Sequence, residues 1–416
     1  MSYEINFAEN EEYIGIYGVE FNGTNPGKRL YDSRYLKFRK FKPSNTTTAG
    51  YDTFIKTNDS PFAIKEVATK YNASSGKQEV LAYEGDSNWN SAISDPEHNR
   101  MIEFPKFYYN RPSQYRWEVS TTQHPGFKPS PMHYRNGVMH DKVWVSKYHL
   151  NTNFLSQTGQ VIATYNGTYT ETGSDTTDYT IGRFRNNLRT KGMYVLDYAT
   201  VCSINMLMFI KYASLNVQSL IGFGWCGQYT NGAKTNTGGA DNVKGKDGYS
   251  GTNKTDNASI VCFGIENWYS NVWKFIDGLV RVGTTMYINT NIENITSNPS
   301  TSNMGGYVAC GSACPSNVGS DYFGWINNSI AYDSVYDWAM YPTNVANATG
   351  EYHKSDPGYL IGDGYWYDYL NKFTIYETVF GGSWGFGFTC GPLCLSLLYP
   401  MAYAHMFLGS GCISIP

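Results

Sequence analysis

Charged side chains are scarce in this chain of 416 residues. It has 32 Lys and Arg against 35 Asp and Glu, which gives a formal net charge of −3. The charged share of 16% compares with about 25% in an average soluble domain. Without a basic excess or basic runs, the chain lacks the electrostatic footprint that phosphate backbones require, so we expect no binding of nucleic acid.

Export and membrane signals are also missing. The first ten residues, MSYEINFAEN, contain neither the basic nor the apolar region of a signal peptide, so we expect a protein made and folded in a cytoplasm. The most apolar stretch, residues 393–408, is interrupted by Pro400 and His405 and is too short to span a bilayer. We therefore expect no membrane insertion.

Motifs of catalysis and of metal binding are incomplete. Residues 381–385 fit the Gly-x-Ser-x-Gly nucleophile pattern around Ser383, but no Asp or Glu follows, and His405 is the one histidine after it. The seven histidines form no His-x3-His or His-Glu-x2-His pair, and no phosphate-binding loop occurs. The two Cys-x3-Cys pairs lack the spacing of zinc sites. We expect a non-catalytic chain with no metal and no cofactor, and mostly buried, reduced cysteines.

Aromatic residues and glycine are abundant instead. Phe, Trp and Tyr make up 16% of the chain, which excludes a disordered protein, and 42 residues are Gly. The patterns predict a β-rich N-terminal domain over residues 1–95 and an α+β body with long loops over 96–416. Strands are expected near residues 13–21, 102–109, 115–119 and 143–148. Asp197 is the expected N-cap of a buried helix over residues 198–212.

The C-terminal segments 385–389 and 398–407 place bulky apolar residues among Gly, Ala and Pro. No Asp or Glu follows Glu377, and no Lys or Arg follows Lys372. Periodicity leaves two interpretations open, a pair of core strands or an exposed recognition patch.

Three segments carry a resemblance to a known fold family. Residues 264–278, GIENWYSNVWKFIDG, resemble the signature of C-type lectin folds of the formylglycine-generating-enzyme-like kind. The segments GGSW at 381–384 and LGSGC at 408–412 are similar to two later strands of that family, in the same order. The resemblance implies a C-type lectin-like domain after the small N-terminal domain, with Trp268, Trp273 and Trp384 as structural support. The calcium and sugar triplets of sugar-binding C-type lectins are absent, so no calcium site is expected.

Two kinds of protein use this fold. Formylglycine-generating oxidases carry a catalytic cysteine pair, and an oxidase here would bind copper through Cys390 and Cys394, although their spacing departs from the family pattern. The second kind comprises the variable proteins of diversity-generating retroelements, which include tropism determinants at phage tail-fibre tips. That resemblance implies a receptor-binding protein of a phage or prophage virion, a homotrimer that contacts other tail proteins. A bacterial surface adhesin is the further alternative.

The same resemblance assigns a variable region to residues 381–412, which would bind a protein or glycan on the host or cell surface. Each position that we assign to the ligand can be reached from an Asn codon by changing its two adenines. These positions are Gly385, Phe386, Phe388, Thr389, Leu398, Tyr399, Tyr403, His405 and Phe407. Met401 and Met406 cannot be reached in this way and are expected to flank the site. The N-terminal domain would attach the chain to the particle.

Overall fold

A computed structural model describes most of the chain. The described residues are 15–21, 27–31, 62–159, 161–162, 179–227, 235–243, 248–250, 258–295, 300, 302–315, 323–326, 330–347, 364–367, 375–386 and 389–416. The predicted site residue Phe388 lies outside them. Within them strands predominate and helices are few, which confirms the predicted mixture of α and β structure.

The strands are numbered in chain order. The first twelve are β1 (Ile16–Glu20), β2 (Lys28–Tyr31), β3 (Lys65–Asn72), β4 (Lys77–Tyr83), β5 (Asn99–Pro105), β6 (Tyr108–Ser113), β7 (Arg116–Ser120), β8 (Lys128–Pro129), β9 (Tyr134–Arg135), β10 (Val138–Met139), β11 (Lys142–Ser146) and β12 (Tyr194–Val195). The others are β13 (Gly248–Tyr249), β14 (Ile260–Cys262), β15 (Ile265–Glu266), β16 (Trp273–Val282), β17 (Thr285–Ile288), β18 (Val308–Ala309), β19 (Phe323–Ile326), β20 (Val345–Asn347), β21 (Gly364–Tyr367), β22 (Tyr376–Phe380), β23 (Leu395–Pro400), β24 (Leu408–Ser410) and β25 (Cys412–Ser414). The helices are α1 (Trp89–Ser94), α2 (Ile181–Arg189), α3 (Tyr198–Tyr212) and α4 (Gln218–Ile221), with a 3-10 turn at Ile292–Asn294.

Three larger sheets organise these strands. One has the order β2-β1-β7-β6-β8 and a second has the order β12-β25-β11-β5-β3-β4, and both are antiparallel. The third has the order β18-β17-β16-β22-β23-β21-β19-β20, with β24 parallel to β16. In the third sheet, β22 and β23 lead into the C-terminal loops that the sequence singles out, so this sheet positions the candidate site.

The predicted buried helix is confirmed as α3. Asp197 caps its N-terminus by accepting a hydrogen bond from the backbone N–H of Thr200, and Ala213 ends it in a left-handed conformation. All fifteen of its residues are buried, because the helix packs against β1 and β7 on one side and β16 on another. This enclosure explains why its apolar residues cover every face. Among the described residues, no helix is both long and apolar enough to cross a membrane.

The predicted domain boundary near residue 95 falls between strands that share a sheet. Strand β1 pairs with β7, with Gly18 opposite Glu118, and β3 pairs with β5, with Val67 opposite Met101. The C-terminal strand β25 joins the same sheet as β3 through β11. The described strands before residue 95 are therefore integral to two sheets that contain later parts of the chain.

The segment 264–278, which carries the family resemblance, holds distant loops in place. The Glu266 carboxylate accepts hydrogen bonds from the backbone N–H groups of Gly238 and Ala240. The Asn271 side chain accepts from the N–H of Thr235 at 2.9 Å and donates to its carbonyl at 3.1 Å. These buried polar side chains satisfy backbone groups of residues 235–240, which belong to no strand.

Gly382 adopts a left-handed backbone (φ 87°) at the start of the loop after β22, and a Cβ there would overlap the Cys390 sulfur. We predict that Gly382→Ala lowers the unfolding free energy by about 3 kcal/mol, from backbone strain and overpacking together. Denaturant unfolding measures this change. Cys390→Ala in the same chain removes the overlapping atom and should recover part of the loss, whereas equal stability of Gly382→Ala and the native chain would contradict the strained geometry.

Candidate functional site

Six half-buried side chains lie in the loop after β22, at the end of β23 and in the turn before β24. We call this set the aromatic patch, and it consists of Phe386, Tyr399, Met401, His405, Met406 and Phe407. Four of the six are rings, and none of the six is charged.

Phe407 lies at the centre of the patch. Its ring centroid is 3.8 Å from that of His405, 6.0 Å from Phe386 and 6.2 Å from Tyr399. It also makes an edge contact with Trp384 at 6.4 Å. A half-buried ring held by four neighbours keeps few rotamers open, so it presents a rigid apolar surface.

Tyr403 was expected among the surface positions, and the structure places it beneath them. The side chain is only 2% exposed, and its ring stacks on Tyr399 with centroids 4.3 Å apart and planes 15° from parallel. The plane of the His405 ring is nearly parallel to that of Tyr403, with the centroids 6.1 Å apart. Tyr403 therefore supports the rings of the patch from the core side.

The three tryptophans assigned to structural support are all buried. Trp273 makes an edge contact with Phe386 at 5.5 Å, and Trp384 contacts Phe407. Trp268 lies deeper, against Phe380, and its indole N–H donates to the Asn205 side chain. Trp273 and Trp384 thus form a layer directly under the patch.

Backbone hydrogen bonds fix the loops that carry the patch. The N–H of Trp384 donates to the Asn271 carbonyl at 3.0 Å, and the N–H of Trp273 donates to the Phe407 carbonyl at 2.8 Å. The N–H of Gly381 donates to the Cys394 carbonyl at 2.9 Å. The loop after β22 and the turn before β24 are therefore both tied to the segment 264–278. The loop after β22 is also tied to Cys394, the residue before β23.

The remaining predicted positions lie around the patch. Gly385, Thr389 and Leu398 are half-buried, and the Thr389 hydroxyl donates to the Phe386 carbonyl at 2.6 Å. Burial lowers the pKa of His405, which keeps its imidazole neutral near pH 7. The patch can bury apolar surface against a ligand, and the Tyr399 hydroxyl and the His405 imidazole can form hydrogen bonds with it. Its side chains carry no charge that would pair with an ionic ligand.

Lys274, in β16 below this region, is a buried residue that the sequence analysis missed. It is 3% exposed, and its Nζ has no hydrogen-bond partner among the described residues. The ammonium group lies over the Phe380 ring, 5.8 Å from the centroid. Burial lowers the pKa of Lys274 to about 7, against a smaller opposing influence from Cys390. The folded chain favours the uncharged form of Lys274. The side chain therefore reduces stability at every pH at which the unfolded chain carries it protonated.

We predict that Lys274→Met stabilises the chain at pH 7. The unfolded-state pKa of a lysine is about 10.4, so the native chain gains stability relative to this variant as the pH rises from 7 towards 10. Below pH 7 the folded and the unfolded chain both hold the Lys274 proton, so the difference in unfolding free energy between the native chain and the variant stays constant. The gap in unfolding free energy should narrow by about 3 kcal/mol between pH 7 and pH 10, as measured by denaturant unfolding. Lys77→Met, at an exposed position, is the control, and a gap that does not vary with pH would refute the prediction.

The cysteine pair of the oxidase alternative is enclosed. Cys390 and Cys394 are both 0% exposed, and the Cys390 thiol donates to the Ser383 carbonyl at 3.4 Å. In the described part of the chain, no three His, Cys, Asp or Glu residues form a group that could hold a metal ion. Because both thiols are enclosed, a substrate cysteine has no access to them in this conformation.

Comparison with solved structures finds three variants of the Major Tropism Determinant that are similar to this chain. The U1 variant has 10% sequence identity and a TM-score of 0.30, and the match covers 84% of this chain and 72% of that one. The M1 variant has 10% identity and a TM-score of 0.32, with 84% and 71% covered, and the I1 variant has 12% and 0.32, with 84% and 72% covered. No family model matches the chain, and no curated protein does.

Proposed function

We propose that this chain is a non-catalytic receptor-binding protein of a phage or prophage tail, with a C-type lectin-like domain that displays the aromatic patch to a host surface. One observation carries the proposal, the half-buried cluster of four rings and two methionines on a stretch of chain without charge. A solvent-facing apolar cluster on a rigid support is typical of a recognition surface.

The physical basis of recognition is burial of the patch against the ligand. The rings of Phe386, Tyr399 and Phe407 already pack against one another and against buried tryptophans, so binding immobilises few further rotamers. Aromatic side chains supply a large contact area at low entropic cost, as they do in antibody paratopes. Met401 and Met406 add flexible apolar contacts at the edge, which can adapt to the partner.

Diversification by a retroelement is the second part of the proposal. The codon relation holds at all nine positions assigned to the ligand. Among those that the structure describes, Tyr403 alone belongs to the buried layer under the patch. Side chains at the half-buried positions can then change while Trp273 and the segment 264–278 keep the backbone fixed. The N-terminal residues would attach to the particle, and a homotrimer would add avidity to weak single sites.

The DNA beside the gene tests this second part. We expect a near-copy of the segment that codes for residues 381–412, which differs from the gene only where the copy has adenine, next to a gene for a reverse transcriptase. A neighbourhood without such a copy would reject diversification. The receptor-binding role would not be affected by that result, because binding of the chain to host cells tests it separately.

A further inference from the structure

A recess with a volume of about 680 Å³ lies apart from the aromatic patch. It is bounded by β3, β4, the segment before β5, the turn at residues 152–155 and the C-terminal end of α2. Its volume is within the range of roughly 300–1,000 Å³ that is typical of ligand pockets. No residue of the patch lines it. We call it the polar cleft.

The floor of the polar cleft is rigid. Gln78 and Asn99 are buried there, and the Gln78 carbonyl oxygen accepts from the Thr69 hydroxyl at 2.7 Å and from the Asn99 amide at 3.3 Å. The Gln78 amide donates to the Lys191 carbonyl at 2.8 Å, and the Asn99 side chain accepts from the N–H of Ser156. These bonds join β4, β5 and the chain beyond α2, so the recess is a fixed feature of the fold.

One wall is held by a local turn. The Asn151 side chain accepts from the backbone N–H groups of Asn153 at 2.9 Å and Leu155 at 3.1 Å. Phe154 adopts a left-handed conformation (φ 58°) and is buried. The turn leaves the side chains of Thr152 and Asn153 exposed at the cleft. The wall therefore offers neutral polar groups on a backbone that is already ordered.

The chemistry of the lining points to an uncharged, polyhydroxylated ligand. Amides and hydroxyls that can both donate and accept hydrogen bonds predominate around one half-buried tyrosine ring. These side chains are Tyr71, Thr152, Asn153, Asn187 and Thr190. Lys70, Lys191 and Glu97 also line the cleft and leave one net positive charge, which is too little to select a polyanion.

We propose that the polar cleft binds a short neutral oligosaccharide, with the Tyr71 ring against a sugar face and the Asn153 and Asn187 amides on its hydroxyls. No metal is needed, because protein groups supply all the donors and acceptors. This second site is independent of the receptor-binding role of the patch. A chain that binds sugar in the cleft could do so whether or not the patch binds a receptor.

Saturation-transfer NMR and calorimetry on the full chain test the proposal, with maltotriose, cellotriose and triacetylchitotriose as probes and a heparin hexasaccharide as the acidic comparison. We expect one of the neutral probes to bind, and Tyr71→Ala and Asn153→Ala each to weaken it by about tenfold or more. Val335→Ala, at an exposed position elsewhere, should leave the affinity unchanged. Melting temperatures measured for each variant separate lost binding from lost folding.

Three results would overturn the proposal. The first is that none of the neutral probes binds at millimolar concentration, and the second is that only the heparin hexasaccharide binds. The third is that a neutral probe binds equally well to the native chain and to folded Asn153→Ala, which changes an exposed side chain of the cleft.

Discussion

Phe407→Ala is expected, on the proposed receptor-binding role, to weaken binding to a host-cell ligand by about a hundredfold, the size of effect found at the centre of an interface. The substitution removes the ring that contacts Phe386, Tyr399, His405 and Trp384 at once. Binding then loses both the contact of Phe407 and the support that keeps its neighbours in place. Flow cytometry of the fluorescently labelled chain on cells of the host bacterium measures the change.

Two controls separate recognition from folding in this experiment. Val335→Ala removes a side chain that is 54% exposed and outside the patch, and should bind as the native chain does. The melting curve of Phe407→Ala shows whether the sheet is retained, since the ring also packs on the core. If the folded variant binds as tightly as the native chain, the patch is not the recognition surface.

Asp197→Ala is expected to have the largest effect on stability, a loss of about 4 kcal/mol. The Asp197 carboxylate pairs with both terminal nitrogens of Arg135, at 2.5 and 2.9 Å, and both side chains are buried. The same carboxylate caps α3 through the N–H of Thr200. Alanine leaves a buried guanidinium without its counter-charge and removes the cap. Since a domain is stable by only about 5–15 kcal/mol, denaturant unfolding should detect the loss easily.

A matched variant separates the contribution of the Asp197 charge to stability from the contribution of the helix cap. Asp197→Asn keeps an oxygen for the Thr200 N–H but removes the charge, so its loss should be smaller than that of alanine by about 1 kcal/mol. Arg135→Met together with Asp197→Asn removes the unpaired cation and should recover stability relative to Asp197→Asn alone. A loss under about 1 kcal/mol for Asp197→Ala would contradict the buried ion pair.

Local pattern was sufficient for single elements of this fold. An N-cap followed by a largely apolar segment identified α3, and the strands predicted near β1, β7 and β11 lie close to their observed positions. The single strand predicted over residues 102–109 is instead the end of β5 and the start of β6, which join different sheets. Which strands pair could not be predicted, because β1 meets β7 and β25 meets β11 across long separations that leave no local signal. The boundary predicted near residue 95 rests on a change of composition, and the pairing of β1 with β7 and of β3 with β5 across it has no local signal either.

The candidate site, too, could be predicted from the sequence only in part. Position in the sequence and lack of charge indicated the C-terminal loops, but the burial of Tyr403 depends on how the turn after β23 folds back over the sheet. Lys274 was missed because a lysine between Trp273 and Phe275 looks like the exposed face of a strand. The strand is instead covered on both faces. Val272 and Ile276, two positions before and after Lys274, are apolar and were the available signal, since fully buried strands lose their alternation.

Site-specific photo-crosslinking tests the central claim most directly. A benzophenone side chain placed at Tyr399, in the patch, and separately at Val335, which is exposed elsewhere, is irradiated while the chain is bound to host cells. If the aromatic patch contacts the ligand, a cell-surface molecule is captured from position 399 and not from position 335. Capture from position 335 alone, or from neither position while the chain remains bound, would contradict it.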